Sequence, residues 1–296
     1  PDELWCAEQM GPQDASAAIT RDRLDPREWQ TLRRMGIGTT GALADLEPED
    51  PAFFDDYHPE VTHYGRGQAL KRLQAAVRQA QMIRDGVDFR PIPGVVVEVP
   101  SADIEIDFDI EWDTAGRIYQ WGLRVRDGQD DATARYEPIV SFEPLDDEGE
   151  LALAERAAAV ISHLRAEAQA AGRTVAVYHW SHPEVSRTRK FACAAAALDG
   201  ITVDLLAWFT TTFHVRGEAS IKAVAQFFGF TWAVDDPGGL LSMAKVDIAR
   251  GGGPEALEAR QWCLDYNESD VAAQAVIRDG VREMFPPNRP SSEMCV

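Results

Sequence analysis

The chain has 296 residues, enough for one large domain or two smaller ones, and its hydrophobic content of 45% is ordinary for a globular protein. No apolar run reaches the roughly 20 residues that a membrane-spanning helix requires. The net charge of −20 disfavours an extended duplex-binding surface, because affinity for a duplex comes largely from neutralising its phosphates.

Residues 24–46 predict two short helices joined by a tight turn. Asp25 is the expected cap of the first helix, with Glu28 three residues after it. The segment resembles a helix-hairpin-helix element, in which a glycine-rich turn brings backbone N–H groups to a DNA phosphate. The resemblance implies that Gly36 and Gly38 contact nucleic acid. A helical hairpin that serves packing alone is the alternative.

The next segments predict a linker and a basic helix. Residues 47–60 are acidic and contain prolines, which is typical of a linker. Residues 61–84 contain arginines and a lysine but no acid, and we expect a helix at about 66–84 whose Arg72 and Arg78 contact phosphate. An ordinary solvated helix is the alternative. The sequence PIPG at 91–94 indicates a domain entry, so the predicted domains are 1–92, helical, and 93–296.

Residues 93–296 predict an α/β domain with a mixed sheet flanked by helices. Residues 103–112 alternate strictly between acidic and apolar side chains, as a β-strand with one polar face does. The predicted strands are 103–112, 117–125, 135–142, 174–178 and 201–206. The predicted helices are 147–171, 183–197, 219–228 and 254–283, with a glycine-rich, disordered loop at 237–253.

The first predicted strand and the residue after it place five carboxylates on one face, those of Glu105, Asp107, Asp109, Glu111 and Asp113. Like charges so close together are costly unless a positive charge neutralises them. A divalent-cation site is one interpretation, because Mg²⁺ prefers oxygen ligands such as carboxylates. An edge strand whose polar face meets water is the alternative.

Three short motifs in the domain resemble those of the DEDD superfamily of 3′–5′ exonucleases, which have a ribonuclease H-like fold. The first is Asp109-Ile110-Glu111 on the carboxylate strand. The second follows the strand TVAVY and reads HWSHPE over residues 179–184, with Glu184 where the family has Asp. The third is a Tyr-x-x-x-Asp on the closing helix, formed by Tyr266 and Asp270.

The resemblance implies a divalent-metal-dependent nuclease that hydrolyses phosphodiester bonds of DNA or RNA with two Mg²⁺ or Mn²⁺ ions. It implies that Asp109 bridges both ions, while Glu111 and Asp270 each complete one coordination sphere. Glu184 is expected to reach a metal directly or through water. Asp204 is the substitute ligand if Glu184 does not.

Four further residues have expected roles. Tyr266 lies one helical turn from Asp270, and its hydroxyl is expected to orient the attacking water; a buried packing role is the alternative. Lys222 is expected to contact substrate phosphate, with a solvated lysine as the alternative. His179 and His182 are expected to be structural.

The likeness extends to a largely predicted branch in which the domain often follows a RecB-like nuclease domain and a Ser-x-Lys precedes the last helices. It implies a single-stranded DNA or RNA end as substrate, a RecB-like domain or another protein as a further partner, and no membrane. A catalytically degenerate ribonuclease H-like module that binds nucleic acid or a protein is one alternative, favoured by Glu184 and the net charge. A metal hydrolase acting on a small phosphorylated substrate is the other.

The four cysteines are scattered and form no CxxC pair, which indicates free thiols. They are Cys6, Cys193, Cys263 and Cys295. Cys6 as a leftover ligand of a metal or iron–sulfur site is the alternative. Because the first residues lack the pattern of a signal peptide, we expect a cytoplasmic protein.

Overall fold

The computed structural model describes residues 24–235 and 238–286, and these residues form two compact units. Unit one comprises residues 24–95 and 212–219, and unit two comprises residues 96–211 and 220–286. Cys6 and Cys295 lie outside the described residues, whereas Cys193 and Cys263 are free thiols as predicted. None of the described helices has both the length and the apolar content of a membrane span.

Unit one is mainly helical. Its elements are helices α1 (Pro26–Arg34), α2 (Thr40–Ala44), α3 (Pro51–Tyr57) and α4 (Arg66–Asp85), a 3-10 turn (His58–Val61), and strands β1 (Phe89–Pro91) and β7 (Phe213–Val215). The two strands pair antiparallel. Large apolar side chains such as Leu32, Leu43 and Leu73 are fully buried among these helices.

The predicted helical hairpin is confirmed. Asp25 accepts the backbone N–H of Glu28, and the Glu28 carboxylate accepts that of Asp25, so a reciprocal capping box begins α1. Gly36 adopts φ +87°, a left-handed conformation that ends the helix without strain only in glycine. Its N–H donates to the carbonyl of Arg33, and the next N–H, of Ile37, also bonds inside the turn.

The prediction of a linker at 47–60 is wrong, because this segment forms α3 and the 3-10 turn. Asp50 caps α3 by accepting the N–H of Ala52, and Pro51 occupies the first helical position. Phe54 and Tyr57 are buried in the core of unit one. Burying two aromatic side chains outweighs the acidic composition of the segment.

Unit two contains a five-stranded mixed sheet in the order β4-β3-β2-β5-β6. The strands are β2 (Ile104–Trp112), β3 (Ile118–Asp127), β4 (Asp130–Val140), β5 (Val175–His179) and β6 (Thr202–Asp204). Strands β2, β3 and β4 pair antiparallel, whereas β5 is parallel to β2 and β6 is parallel to β5. The predicted α/β class with a mixed sheet flanked by helices is therefore confirmed.

Helices cover both faces of this sheet. They are α5 (Asp147–Ala170), α6 (His182–Thr188), α7 (Ala192–Leu198), α8 (Leu205–Thr212), α9 (Ile221–Gln226), α10 (Gly239–Ala249) and α11 (Pro254–Met284). Helices α5 and α7 pack on the face that carries Ile106, Phe108 and Ile110. Helix α11 contacts β2 and hydrogen-bonds to its opposite, acidic face.

Two predictions in unit two are wrong in detail. The helix expected at 183–197 is two helices, α6 and α7, separated at residues 189–191. The disordered loop expected at 237–253 instead contains α10 over residues 239–249, because Ser242, Val246 and Ala249 form a buried stripe at helical spacing. Residue 237 lies outside the described residues.

Candidate metal centre

The carboxylate-bearing strand β2 is the central strand of the sheet, with β3 on one side and β5 on the other. Its acidic face is covered, and Glu105 and Asp107 are fully buried. The interpretation of this strand as an edge whose polar face meets water is therefore wrong. Buried carboxylates need positive or hydrogen-bonding partners, and the partners divide the face into two halves.

The first half is neutralised by arginines. On the adjacent strand β3, Arg126 lies directly opposite Glu105, and Arg124 lies directly opposite Asp107. Arg126 forms an ion pair with Glu105 at 2.7 Å, and Arg278 of α11 bonds to both Glu105 and Asp107. Burial alone would lower the pKa of Arg278, but the carboxylates of Asp107 and Glu105 raise it. Burial raises the pKa of Asp107, and Arg278 and Arg124 act against that rise.

The second half contains three converging carboxylates. One oxygen from each of Asp109, Glu111 and Asp270 lies within 4.8 Å of the other two. Glu111 and Asp270 are buried, and Asp109 is half-buried. Within residues 24–235 and 238–286, no arginine or lysine forms an ion pair with them. The structure thus brings together three of the four predicted metal ligands.

Asp109 is held by a neutral hydrogen-bond chain. Asn267 donates to Asp109 at 2.8 Å, and Tyr136 donates to the Asn267 oxygen at 2.8 Å. Gly122, which lies opposite Asp109 on β3, makes room for this arrangement. A Cβ at position 122 would lie 1.7 Å from the Asn267 oxygen.

Glu111 and Asp270 also accept from neutral groups. Ser242 of α10 donates to Glu111 at 2.7 Å, and the Tyr119 hydroxyl lies 2.9 Å from the same serine oxygen. The Trp232 indole N–H donates to Asp270 at 2.7 Å. Neutral donors orient these carboxylates without cancelling their charge.

Burial raises the pKa values of all three carboxyls, and neighbouring carboxylates add to the rise for Asp109 and Glu111. Burial, followed by the charges of Glu111 and Asp270, raises the pKa of Asp109 well above its ordinary value. Burial and the charge of Asp270 raise the pKa of Glu111 to about 8. Burial also raises the pKa of Asp270, with Lys222 opposing the rise. The three carboxylates can all be ionised near neutral pH only if further positive charge enters the group.

These shifts predict how the stability of the metal-free protein depends on pH. Because the pKa of Glu111 rises from 4.5 to about 8 on folding, the folded state binds more protons than the unfolded chain between these values. The free energy of unfolding should therefore fall as the pH rises through this range. Urea unfolding in chelator over this range measures the slope.

In the presence of Mn²⁺ the free energy of unfolding should instead rise with pH, because the cation replaces the protons that the carboxyls bind. The apparent affinity for Mn²⁺ should rise by up to about tenfold per pH unit for each proton displaced. A metal-free protein that becomes more stable between weakly acidic and weakly alkaline pH would contradict the assignment of raised carboxyl pKa values.

Glu184 lies next to this cluster. It is in the first turn of α6, after Ser181, whose φ of 149° is strained for a residue with a side chain. The Ser181 hydroxyl donates to Glu184 at 3.2 Å, and the His179 ring bonds to the Ser181 carbonyl. Burial raises the pKa of Glu184 to about 7, and its charge acts on Asp109. The 4.8 Å group itself does not include Glu184.

Asp204, the alternative ligand, caps a helix. It is the last residue of β6, opposite His179 on β5, and its carboxylate accepts the N–H of Ala207. It thereby caps α8, and its charge adds to the rise in the pKa of Glu184. The arrangement favours Glu184 over Asp204 as the fourth acidic group of the centre.

Glu184→Gln and Asp204→Asn should therefore behave differently. We expect Glu184→Gln to raise the Mn²⁺ concentration at half-maximal stabilisation by about tenfold or more, as changes to groups around a metal site commonly do. Asp204→Asn should leave Mn²⁺ binding unchanged, because asparagine also caps helices. Thermal melts at graded Mn²⁺ concentrations measure both. The reverse pattern would move the fourth ligand to Asp204.

Gly122→Ala tests the hydrogen-bond chain through Asn267 that holds Asp109. The added methyl group should displace Asn267 and weaken Mn²⁺ binding by about 10–100-fold. The double change of Gly122→Ala with Asn267→Ala should regain fold stability but not metal affinity. Gly239→Ala, where a Cβ meets nothing within 4 Å, is the matched control. Unchanged Mn²⁺ affinity in Gly122→Ala would show that Asn267 does not orient the carboxylate.

Tyr266 and Lys222 also lie at the centre. Tyr266 is buried on α11 and stacks on Trp262 with ring centroids 5.1 Å apart, and its hydroxyl lowers the pKa of Asp270. Lys222 of α9 donates from Nζ to the Tyr266 hydroxyl at 3.0 Å. Of the side chains around the centre, Asn267, Ser242 and Trp232 were not predicted. Only Asn267 had a sequence signal, since it lies inside the third motif.

The four other residues that were predicted to contact nucleic acid lie in unit one. They are Gly36, Gly38, Arg72 and Arg78. Arg72 forms a 2.7 Å ion pair with the buried Glu28. Arg78 lines a groove of about 720 Å³ together with the acidic residues Glu47, Glu49 and Asp50. Much of the basic charge of α4 is thus adjacent to acids of the same unit. Contact between these residues and nucleic acid stays a prediction.

Comparison of the chain with protein-family models, curated proteins and solved structures found no match. A functional assignment therefore depends on the residues of the centre, their surroundings and the three motifs. The first and third motifs meet in unit two, where the C-terminal half of β2 adjoins α11.

Proposed function

We propose that this protein is a divalent-metal-dependent nuclease, a 3′–5′ exonuclease that hydrolyses phosphodiester bonds of DNA or RNA. The observation that carries the proposal is the contrast within one strand face. Glu105 and Asp107 are paired with arginines, whereas Asp109 and Glu111 converge with Asp270 without one among residues 24–235 and 238–286. Carboxylates so close together, two of them buried, are costly to ionise unless a cation neutralises them.

We further propose that unit two is a ribonuclease H-like domain. Three features support this finer assignment: the mixed sheet, the central position of the strand with Asp109 and Glu111, and the closing helix that brings Asp270 to that strand. They agree with the fold that the three motifs imply.

The donor set suits hard divalent cations. Carboxylate oxygens are the ligands that Mg²⁺ and Mn²⁺ prefer, and three within 4.8 Å of one another can surround one ion. Two such ions, typically about 3.5–4 Å apart, supply an activated water and stabilise the leaving oxygen. Asp109, on which the charges of Glu111, Asp270 and Glu184 all act, is the candidate to bridge both sites. Glu184 would complete the second site directly or through water.

Tyr266 is the candidate for positioning water. Its hydroxyl lies beside Asp270, and burial raises its pKa above the ordinary value, so the phenol keeps its proton. A protonated hydroxyl can donate a hydrogen bond to a water or to a substrate oxygen. It cannot act as a general base in this state.

A catalytically degenerate module that binds nucleic acid or a protein is the second candidate. The observation that favours it is the pairing of basic residues of α4 with acids, together with the net charge of −20. Both features weaken attraction for a phosphate backbone, so within this candidate they favour a protein as the bound partner. An intact metal centre without strand cleavage would favour this candidate.

A labelled-strand assay tests the proposal. Single-stranded DNA and RNA, each labelled at either the 5′ or the 3′ end, are incubated with the protein and Mn²⁺. A 3′–5′ exonuclease should give a shortening ladder from the 5′ label and immediate release of the 3′ label as a mononucleotide. Chelator should abolish both. If neither strand is shortened in Mn²⁺ or Mg²⁺, the proposed activity is wrong.

A further inference from the structure

Lys222 is placed to act on Tyr266 rather than on solvent. Ser220 caps α9 by accepting the N–H of Ala223, which sets Lys222 in the first turn of that helix. Its Nζ lies 3.0 Å from the Tyr266 hydroxyl oxygen and 4.9 Å from the centroid of the ring. The lysine is partly exposed, whereas the tyrosine is buried.

The chemistry of the two groups fixes the direction of their hydrogen bond. A lysine ammonium has three donors and no acceptor, so the Tyr266 oxygen must accept. The phenolic proton is then directed away from Lys222. Asp270 lies one helical turn further along α11, and the Tyr266 hydroxyl lowers the pKa of this carboxyl, as a proton donor to a carboxylate does. We therefore expect the phenolic proton to be directed towards Asp270.

The charge of Lys222 reaches the same cluster. It acts on both Glu111 and Asp270, favouring their ionised forms. Where these carboxyls are already ionised, a divalent cation held by them would also be repelled by the positive charge of Lys222. The lysine thus has two opposite effects, since it orients the tyrosine and opposes the cation.

We propose that Lys222 is a positioning residue that holds Tyr266 as a hydrogen-bond donor aimed into the metal centre, at a cost in metal affinity. This role rests on the proposed nuclease function. It differs from direct contact of Lys222 with a substrate phosphate, because the lysine then acts on turnover only through the hydroxyl of Tyr266.

A double-mutant cycle on the Mn²⁺-dependent release of the 3′ label tests this role. Tyr266→Phe should lower kcat by about 10²–10⁴-fold, the usual contribution of such a group. Lys222→Met should lower kcat in wild-type protein but cause no further loss in Tyr266→Phe. Lys222→Gln keeps a donor without the charge and should retain more turnover than Lys222→Met. KM for the strand should stay unchanged in each.

Calorimetric titration with Mn²⁺ supplies a readout that does not depend on cleavage. At a pH high enough to ionise the carboxyls without metal, Lys222→Met and Lys222→Gln should both bind Mn²⁺ several-fold more tightly than wild type. Lys245→Met is the control. Lys245 lies over the Trp262 ring, and its loss should change neither kcat nor the affinity for Mn²⁺. Tighter metal binding combined with slower turnover is a pair of opposite changes that loss of folding cannot produce.

The outcomes separate the two proposals. If wild-type protein cleaves but the losses from Lys222→Met and Tyr266→Phe multiply, or if KM rises, Lys222 contacts substrate and the positioning role is wrong. Weaker Mn²⁺ binding in Lys222→Met would also overturn it. If wild-type protein binds no Mn²⁺ and cleaves no strand, the nuclease proposal fails, and the positioning role fails with it.

Discussion

Asp109→Asn should abolish strand cleavage and leave the fold intact. The substitution keeps the shape of the side chain but removes the charge that is expected to bridge two cations. In chelator the variant should be at least as stable as wild type, because one of three mutually repelling carboxylates has been removed. Mn²⁺ should raise its melting temperature far less than that of wild type, because stabilisation by a ligand follows its affinity. Circular dichroism melts and the labelled-strand assay measure these effects.

The exposed Asp131 provides a control for the loss of one negative charge, since its side chain is 68% exposed. Asp131→Asn should retain both cleavage and stabilisation by Mn²⁺. Near-wild-type cleavage by Asp109→Asn would mean that the site has been assigned to the wrong carboxylates.

Asp107→Asn should have the opposite effect on stability, although it is the same substitution two residues away on the same strand face. Asp107 is fully buried and bonds to Arg278 and Arg124. Removing one partner of a buried ion pair leaves an uncompensated charge and typically costs about 3–5 kcal/mol. Urea unfolding of the metal-free protein measures this loss.

The two substitutions together test whether the face is divided as the structure indicates. Asp107→Asn should lose stability in chelator yet still gain stability from Mn²⁺, because Asp109, Glu111 and Asp270 remain. If Asp107→Asn is stable and insensitive to Mn²⁺ while Asp109→Asn unfolds, the roles of the two carboxylates are reversed.

The sequence predicted where the acidic strand lies but not how its carboxylates divide. Strict alternation over residues 103–112 is a local signal, and it identified the strand. The division depends on strand register, which places arginines of β3 opposite Glu105 and Asp107 but Gly122 opposite Asp109. Arg278 of α11 completes the pairing, and it lies 171 residues from Asp107 in the sequence. No local pattern contains that information.

The wrong predictions of a linker at 47–60 and a loop at 237–253 have a common physical origin. Composition favoured a linker at 47–60 and a loop at 237–253, since both are rich in residues that break regular structure. In each case a few buried side chains, such as Tyr57 and Val246, stabilise a helix through tertiary packing. Propensity is a weak prior, and such packing overrides it. The hairpin at 24–46 was predictable because its caps are local.

The calorimetric titration of Mn²⁺ into wild-type protein and into Asp109→Asn tests the metal centre most directly. We expect two ions per wild-type chain, released protons, and binding that strengthens as the pH rises. Asp109→Asn should lose at least one ion and bind the remainder far more weakly. Saturable binding of equal strength and stoichiometry in both proteins, or no binding in wild type, would contradict a metal centre formed by Asp109, Glu111 and Asp270.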